Sequence, residues 1–98
     1  MQVTAEREGN KLTLSFSKAF NFHSRISFVE AYKNQPADLS FELDFRKTQT
    51  VDSSALGMLM IFREHAGGKD ADITIVGCSP ELKKLFEIAQ FQSIFNFV

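Results

Sequence analysis

Strict alternation of apolar and polar residues runs through two segments, residues 11–16 and 39–45. The apolar positions are Leu12, Leu14 and Phe16 in the first segment and Leu39, Phe41, Leu43 and Phe45 in the second. Successive side chains of a strand point to opposite faces, so both segments are predicted to be strands with one apolar face. Residues 2–6 alternate more weakly, and the turn signal Glu8-Gly9-Asn10 joins them to residues 11–16. This arrangement predicts an opening hairpin.

Apolar residues at helical spacing predict three helices. The first helix follows residues 21–24, runs to about Asn34 and is stopped by Pro36. Its apolar residues at helical spacing are Phe22, Ile26 and Val29, with Phe28 and Tyr32 beside them. The second covers about residues 53–66 and ends at Gly67-Gly68, and its core stripe is expected to be Ala55, Leu59, Phe62 and Ala66. The third opens at Ser79-Pro80-Glu81, where Ser caps, Pro suits the first turn and Glu suits the positive helix end.

The remaining apolar runs complete an alternating order of strands and helices. Residues 73–76 form a continuous β-branched run, which predicts a strand covered on both faces. Residues 91–97 predict a last short strand or a packed tail. The order β-β-α-β-α-β-α-β favours an α/β fold, with a mixed, mainly parallel sheet of four to five strands and about three helices. We expect one domain over residues 1–98.

Composition and charge narrow the classes of function. Eleven of the 98 residues are Phe and none is Trp, which favours an aromatic core over an aromatic binding platform. The net charge of −1 provides no basic excess for nucleic acid. No apolar run approaches the roughly 20 residues that span a bilayer, and no signal-peptide block is visible. With Cys78 as its single cysteine, the protein is expected to be cytoplasmic.

The segment 52–64 is the candidate functional region. Asp52 and Ser53 lie where a loop becomes a helix, and unpaired N–H groups at such a point favour a phosphate. Helical spacing places four residues on the side of Ser53, namely Leu56, Gly57, Met60 and Glu64. A simpler alternative makes Ser53 an N-cap and Gly57 a packing glycine under the sheet. The residues taken alone favour that alternative.

Other chemistry finds little support in the sequence. His23, His65 and Cys78 are widely spaced, so no metal site is predicted. No His stands at a recognisable position to activate Ser53, and no glycine-rich phosphate loop is present. We therefore expect no enzymatic activity, no cofactor and no small-molecule substrate.

Four stretches of the chain resemble the STAS domain family, most closely its stand-alone bacterial anti-sigma factor antagonists. They are Leu43-Asp44-Phe45, Val51-Asp52-Ser53-Ser54-Ala55-Leu56-Gly57, Ile73-Thr74-Ile75-Val76-Gly77-Cys78-Ser79-Pro80 and Leu82-Lys83-Lys84-Leu85-Phe86, followed by Phe95 in the family's last strand. Many family members carry an acidic turn after the second strand. Residues 17–23 contain no carboxylate and depart from that pattern.

The resemblance implies that Ser53 is a phosphoacceptor in a partner-switching cycle. The unmodified protein would bind an anti-sigma factor or switch serine kinase, the kinase would phosphorylate Ser53, and a serine phosphatase would reverse the step. The expected partner-binding residues are Asp52, Ser53, Ser54, Leu56, Gly57, Met60 and Glu64. No nucleic acid and no membrane are expected as partners. The alternative within the family is a constitutive, unphosphorylated adaptor subunit of a larger complex, such as a transporter ATPase.

Overall fold

Strands and helices alternate along the chain in the computed structural model, which describes residues 2–98. The strands are β1 (Val3–Glu8), β2 (Lys11–Phe16), β3 (Ala19–Phe20), β4 (Ser40–Asp44), β5 (Thr50–Val51), β6 (Asp72–Val76) and β7 (Asn96–Phe97). The α-helices are α1 (Arg25–Tyr32), α2 (Ser53–His65) and α3 (Pro80–Ile88). Short 3-10 turns occupy Phe22–Ser24, Gly68–Asp70 and Phe91–Ser93.

Five of the strands form one mixed sheet in the order β1-β2-β4-β6-β7. β1 and β2 pair antiparallel as a hairpin, and every other neighbouring pair in this sheet is parallel. The predicted fold, a mainly parallel sheet with three helices, is therefore confirmed. A second, two-stranded sheet of β3 and β5 was not predicted, because strands of two residues are too short to show an alternating pattern.

The large sheet buries one face, and all three helices pack on that face. Phe28 of α1 lies 5.6 Å from Phe16, Phe62 of α2 lies 5.1 Å from Phe41, and Phe86 of α3 lies 5.6 Å from Phe45, all between ring centroids. The opposite face carries polar side chains at intermediate or full exposure, namely Lys11, Thr13, Ser15, Glu42, Asp44 and Thr74. Lys11 and Glu42 form an ion pair there.

The prediction that residues 73–76 are covered on both faces is wrong at Thr74, whereas Val76 is buried. Ile73 and Ile75 are buried, whereas Thr74 pairs with Glu42 on the polar face and is only half-buried. A β-branched residue with a hydroxyl suits this position, because its methyl packs on the sheet while its oxygen meets water.

Phenylalanine rings fill the buried layer, as the composition predicted. The buried members are Phe16, Phe20, Phe28, Phe41, Phe45, Phe62, Phe86, Phe91 and Phe95. Phe45 lies near the middle of this layer and stacks on Phe16, with ring centroids 4.3 Å apart. Phe22, in contrast, is 65% exposed.

We expect Phe45→Ala to lower the free energy of unfolding by about 3–5 kcal/mol, because it deletes a fully buried ring and leaves a cavity. Phe22→Ala is the matched control, and it should change the same quantity by less than about 0.5 kcal/mol. Equilibrium unfolding in urea measures both. Equal losses in the two variants would contradict the core described here.

Candidate functional site

Helix α2 begins with a side-chain cap from Asp52. The backbone of Asp52 is extended, and the Asp52 Oδ1 accepts hydrogen bonds from the Ala55 N–H at 2.9 Å and from the Ser54 hydroxyl at 2.8 Å. Both bonds lower the pKa of Asp52, and the bond from the Ala55 N–H has the larger effect. The Phe22 N–H lowers the pKa of Asp52 to a smaller extent. The carboxylate therefore stays ionised at neutral pH and satisfies an N–H that the helix itself leaves unpaired.

Because Asp52 caps the helix, Ser53 does not. Ser53 is the first helical residue and is exposed, and its hydroxyl has no hydrogen-bond partner within residues 2–98. The alternative in which Ser53 is the N-cap is therefore wrong. The free hydroxyl faces solvent at the positive end of the helix dipole.

The exposed face of α2 continues from Ser53 along the helix. Gly57, Met60 and Glu64 are exposed on it, and Leu56 is half-buried at its margin. Ser54 lies at the flank, half-buried and bonded to Asp52. The opposite side carries the predicted core stripe, which is fully buried: Ala55, Leu59, Phe62 and Ala66.

Gly57 is open to solvent. A β-carbon built there would have no neighbouring atom within 4 Å. The alternative of a packing glycine under the sheet is therefore wrong. Nothing in the fold of this chain requires glycine at this place, although the residue costs helix stability of about 1 kcal/mol relative to alanine.

Three exposed apolar residues near this face were not predicted as part of the site. Ile61 of α2 is 65% exposed and lines a shallow groove against α1, whereas Phe22 and Ile26 are 65% and 75% exposed just before and within α1. Phe22 lies near the start of α2, because the Asp52 N–H bonds to the Phe20 carbonyl two residues before it. The 3-10 turn at Phe22–Ser24 shifts the helical phase, so α1 buries Phe28 and Tyr32 rather than Phe22 and Ile26.

Other reactive groups lie apart from this face. Burial raises the pKa of the half-buried Cys78 thiol to about 11, which keeps it protonated at neutral pH. Residues 2–98 contain no group of three side chains that could hold a metal ion. Nor does any helix in that range have the length and hydrophobicity needed to cross a membrane.

We expect Asp52→Ala to lower the free energy of unfolding by about 1 kcal/mol at pH 7, because α2 loses its cap. Asp52→Asn keeps an acceptor oxygen and should lose less. Chemical denaturation of the three proteins side by side measures the differences. Identical stability of wild type and Asp52→Ala at pH 7 would contradict the capping role.

The difference in the free energy of unfolding between wild type and Asp52→Ala should depend on pH. The folded pKa of Asp52 is lowered, so its contribution is complete above the unfolded pKa of about 4 and disappears as pH falls through the folded pKa. The stability gap between wild type and Asp52→Ala should therefore narrow as the pH is lowered below about 4. A gap that widens on acidification would contradict this account.

Comparisons with known proteins identify the family of the chain. The family model described as STAS domain matches residues 2–98. A STAS-domain containing protein of Pseudomonas aeruginosa (strain UCBPP-PA14) is 37% identical over 99 residues, and the match covers 98% of each chain.

Two solved structures of one protein share the fold. The anti-sigma factor antagonist SpoIIAA in its unphosphorylated form superposes with a TM-score of 0.80 at 11% identity, covering 98% of this chain and 87% of that one. The Bacillus cell fate determinant SpoIIAA in its phosphorylated form gives 0.70 at 12% identity, covering 98% and 90%. The chain belongs to the STAS domain family.

Proposed function

We propose that the protein is a phosphorylation-controlled partner switch of the anti-sigma factor antagonist kind. With Ser53 unmodified, the exposed face of α2 binds an anti-sigma factor or a switch serine kinase. The kinase transfers the γ-phosphoryl group of ATP to the Ser53 oxygen, which loses its proton, and ADP leaves with the bridging oxygen. This modification ends binding. A serine phosphatase hydrolyses the ester and restores it.

The observation that carries the proposal is the free, exposed Ser53 hydroxyl at the start of α2. A kinase needs a hydroxyl that it can reach and that has no competing role, and the cap from Asp52 provides this. Exposed apolar side chains follow about two turns further along the same helix, namely Met60 (41% exposed) and Ile61. An apolar surface of this kind gains free energy when a partner covers it.

The switch works by charge and needs no unfolding. A phosphoserine adds about −1.5 to −2 charge beside the ionised Asp52 carboxylate. A partner that covers the face would have to remove water from both negative charges. The exposed residues of this face are Ser53, Gly57, Met60 and Glu64, and none of them carries a positive charge that could offset the two. Docking is therefore lost while the fold is retained.

The comparisons support the proposal at the level of family and fold. SpoIIAA, which is an anti-sigma factor antagonist, has been solved in both unphosphorylated and phosphorylated forms. Fold similarity at 11–12% identity does not transfer partners, so the kinase, the phosphatase and the phosphosite are proposed on the geometry of α2. We further propose that the chain acts in the cytoplasm and catalyses no reaction of its own.

A second candidate is a constitutive adaptor subunit in a larger complex, such as one with a transporter ATPase. The strong exposure of Phe22, Ile26 and Ile61 favours it, because a permanent interface would cover such side chains at all times. In that case Ser53 would be packed in the interface and never modified.

Intact-mass measurement of the protein from its native cell separates the two candidates. The switch predicts a fraction heavier by one phosphate that maps to Ser53 and disappears after phosphatase treatment. Ser53→Ala should abolish this fraction. Absence of the heavier species under all growth conditions, together with stable co-purification of a partner, would favour the adaptor.

Substitutions of Ser53 test the charge mechanism directly. We expect Ser53→Asp to weaken binding to the partner kinase by at least about tenfold, whereas Ser53→Asn, with the same shape and no charge, keeps most of the affinity. Ser53→Ala should bind normally and resist inactivation by kinase and ATP. Isothermal titration calorimetry measures these affinities. Equal affinities of the Asp and Asn variants would rule out the charge mechanism.

Gly57→Ala separates folding from binding. The open space around Gly57 lets the helix accept alanine, so we expect the free energy of unfolding to rise by about 0.5–1 kcal/mol. The same methyl group would hold a partner's backbone away from the face, and we expect weaker binding. A variant that is more stable and binds as well as wild type would show that the partner does not approach at Gly57.

A further inference from the structure

The outer edge of β1 is the longest unpaired strand edge of the sheet in residues 2–98. β1 spans Val3–Glu8 and hydrogen bonds to β2 on one side only. The opposite edge of the sheet is formed by β7, which is only Asn96–Phe97. An edge of the length of β1 presents a row of N–H and C=O groups that can pair with another strand.

The hydrogen-bond phase of the hairpin shows which groups are free. The Ser17 N–H donates to the Gln2 carbonyl at 3.0 Å, so Gln2 bonds toward β2. In an antiparallel pair the bonding residues alternate, and Thr4, Glu6 and Glu8 therefore share this direction. The N–H and C=O groups of Val3, Ala5 and Arg7 consequently point to the open edge.

A trough runs beside this edge on the face that carries the helices. It has a volume of about 410 Å³ and lies between β1 and α1, lined by Val3, Thr4, Ala5, Ser27, Glu30, Ala31 and Gln35. Val3, Ala5 and Arg7 lie on this face by strand alternation, yet only Val3 is buried. Helix α1 therefore covers the Val3 end of the strand and leaves Ala5 and Arg7 uncovered.

We propose that β1 is the site at which the protein binds a second copy of itself, by antiparallel pairing of the two β1 strands. The two-fold axis passes through Ala5, which lies opposite Ala5 of the second copy. Val3 then lies opposite Arg7 of the second copy, and by symmetry Arg7 lies opposite Val3 of the second copy. In each of these pairs both residues point their free backbone groups toward the other strand and exchange hydrogen bonds.

Charge and the length of the strand overlap favour this register over its neighbours. Glu6 faces Thr4 of the second copy, and Arg7 of the second copy enters the trough that Glu30 lines. Glu30 pairs there with Lys33 of its own chain at 2.8 Å, and its side chain is exposed enough for its carboxylate to accept a second cation. A register centred on Glu6 would oppose two glutamates, and one centred on Arg7 would oppose two arginines. A register centred on Thr4 would overlap only residues 3–5 of β1, whereas the register centred on Ala5 overlaps residues 3–7. The chain therefore complements its own sequence at this edge.

The α2 face takes no part in this contact, so the proposal stands independently of the partner switch. Two copies joined in this way keep both Ser53 hydroxyls free. Ser53→Asp should leave self-association unchanged even where it abolishes binding of a kinase.

Sedimentation velocity over a range of protein concentrations tests the proposal. Wild type should show a sedimentation coefficient that rises with concentration toward that of a dimer. Ala5→Pro removes an N–H that points to the open edge and is not used between β1 and β2, so it should stay monomeric. Ala5→Ser keeps the N–H and should behave as wild type. A wild type that remains monomeric at all concentrations would overturn the proposal.

A charge exchange between Arg7 and Glu30 tests the register of the two strands. This test does not depend on whether Ala5→Pro folds. Arg7→Glu places a second carboxylate beside Glu30 across the interface and should weaken dimerisation by about tenfold. Adding Glu30→Arg should restore it, because the two charges are exchanged. Failure of the double variant to recover, or an Arg7→Glu dimer as tight as wild type, would overturn the proposed pairing.

Discussion

The carboxylate of Asp52 is the group on which the functional face depends. It accepts bonds from the Ala55 N–H and the Ser54 hydroxyl, and so it both starts α2 and occupies the hydroxyl of Ser54. A helix start of this kind leaves only one of the two adjacent serines free. That residue is Ser53, which projects into solvent at the positive end of the helix. A stable fold and an accessible hydroxyl thus follow from the same side chain.

The segment before α2 holds Asp52 in place. β3 and β5 pair in a small parallel sheet, and the Asp52 N–H lies 3.4 Å from the Phe20 carbonyl. The Phe22 N–H is a further group that lowers the pKa of Asp52. The exposed ring of Phe22 follows two residues after the carbonyl that holds the Asp52 N–H.

The one-sided sheet explains how a chain of 98 residues can expose so much apolar surface. All three helices pack on a single layer of phenylalanine rings, which concentrates burial in one region. The fold therefore does not need Met60, Ile61, Phe22 or Ile26 for its core, and these remain exposed. Gly57 follows the same logic, because nothing inside the chain requires a glycine there. Helix α2 therefore carries three exposed residues that the core does not explain, namely Gly57, Met60 and Ile61.

The local pattern of the sequence predicts the longer strands, the three α-helices, their order and the position of the candidate serine, but not the two-residue strands β3 and β5. Alternation in residues 11–16 and 39–45, helical spacing after Ser53 and the cap at Ser79 are local patterns, and the structure has β2, β4, α2 and α3 there. The tertiary structure alone decided which serine caps α2, that Thr74 lies on an uncovered face, and that Phe22 and Ile61 stay exposed. The physical reason is that periodicity reports only what neighbours along the chain have in common. Burial depends on which distant segments pack together, and a hydroxyl is free only when no other group needs it.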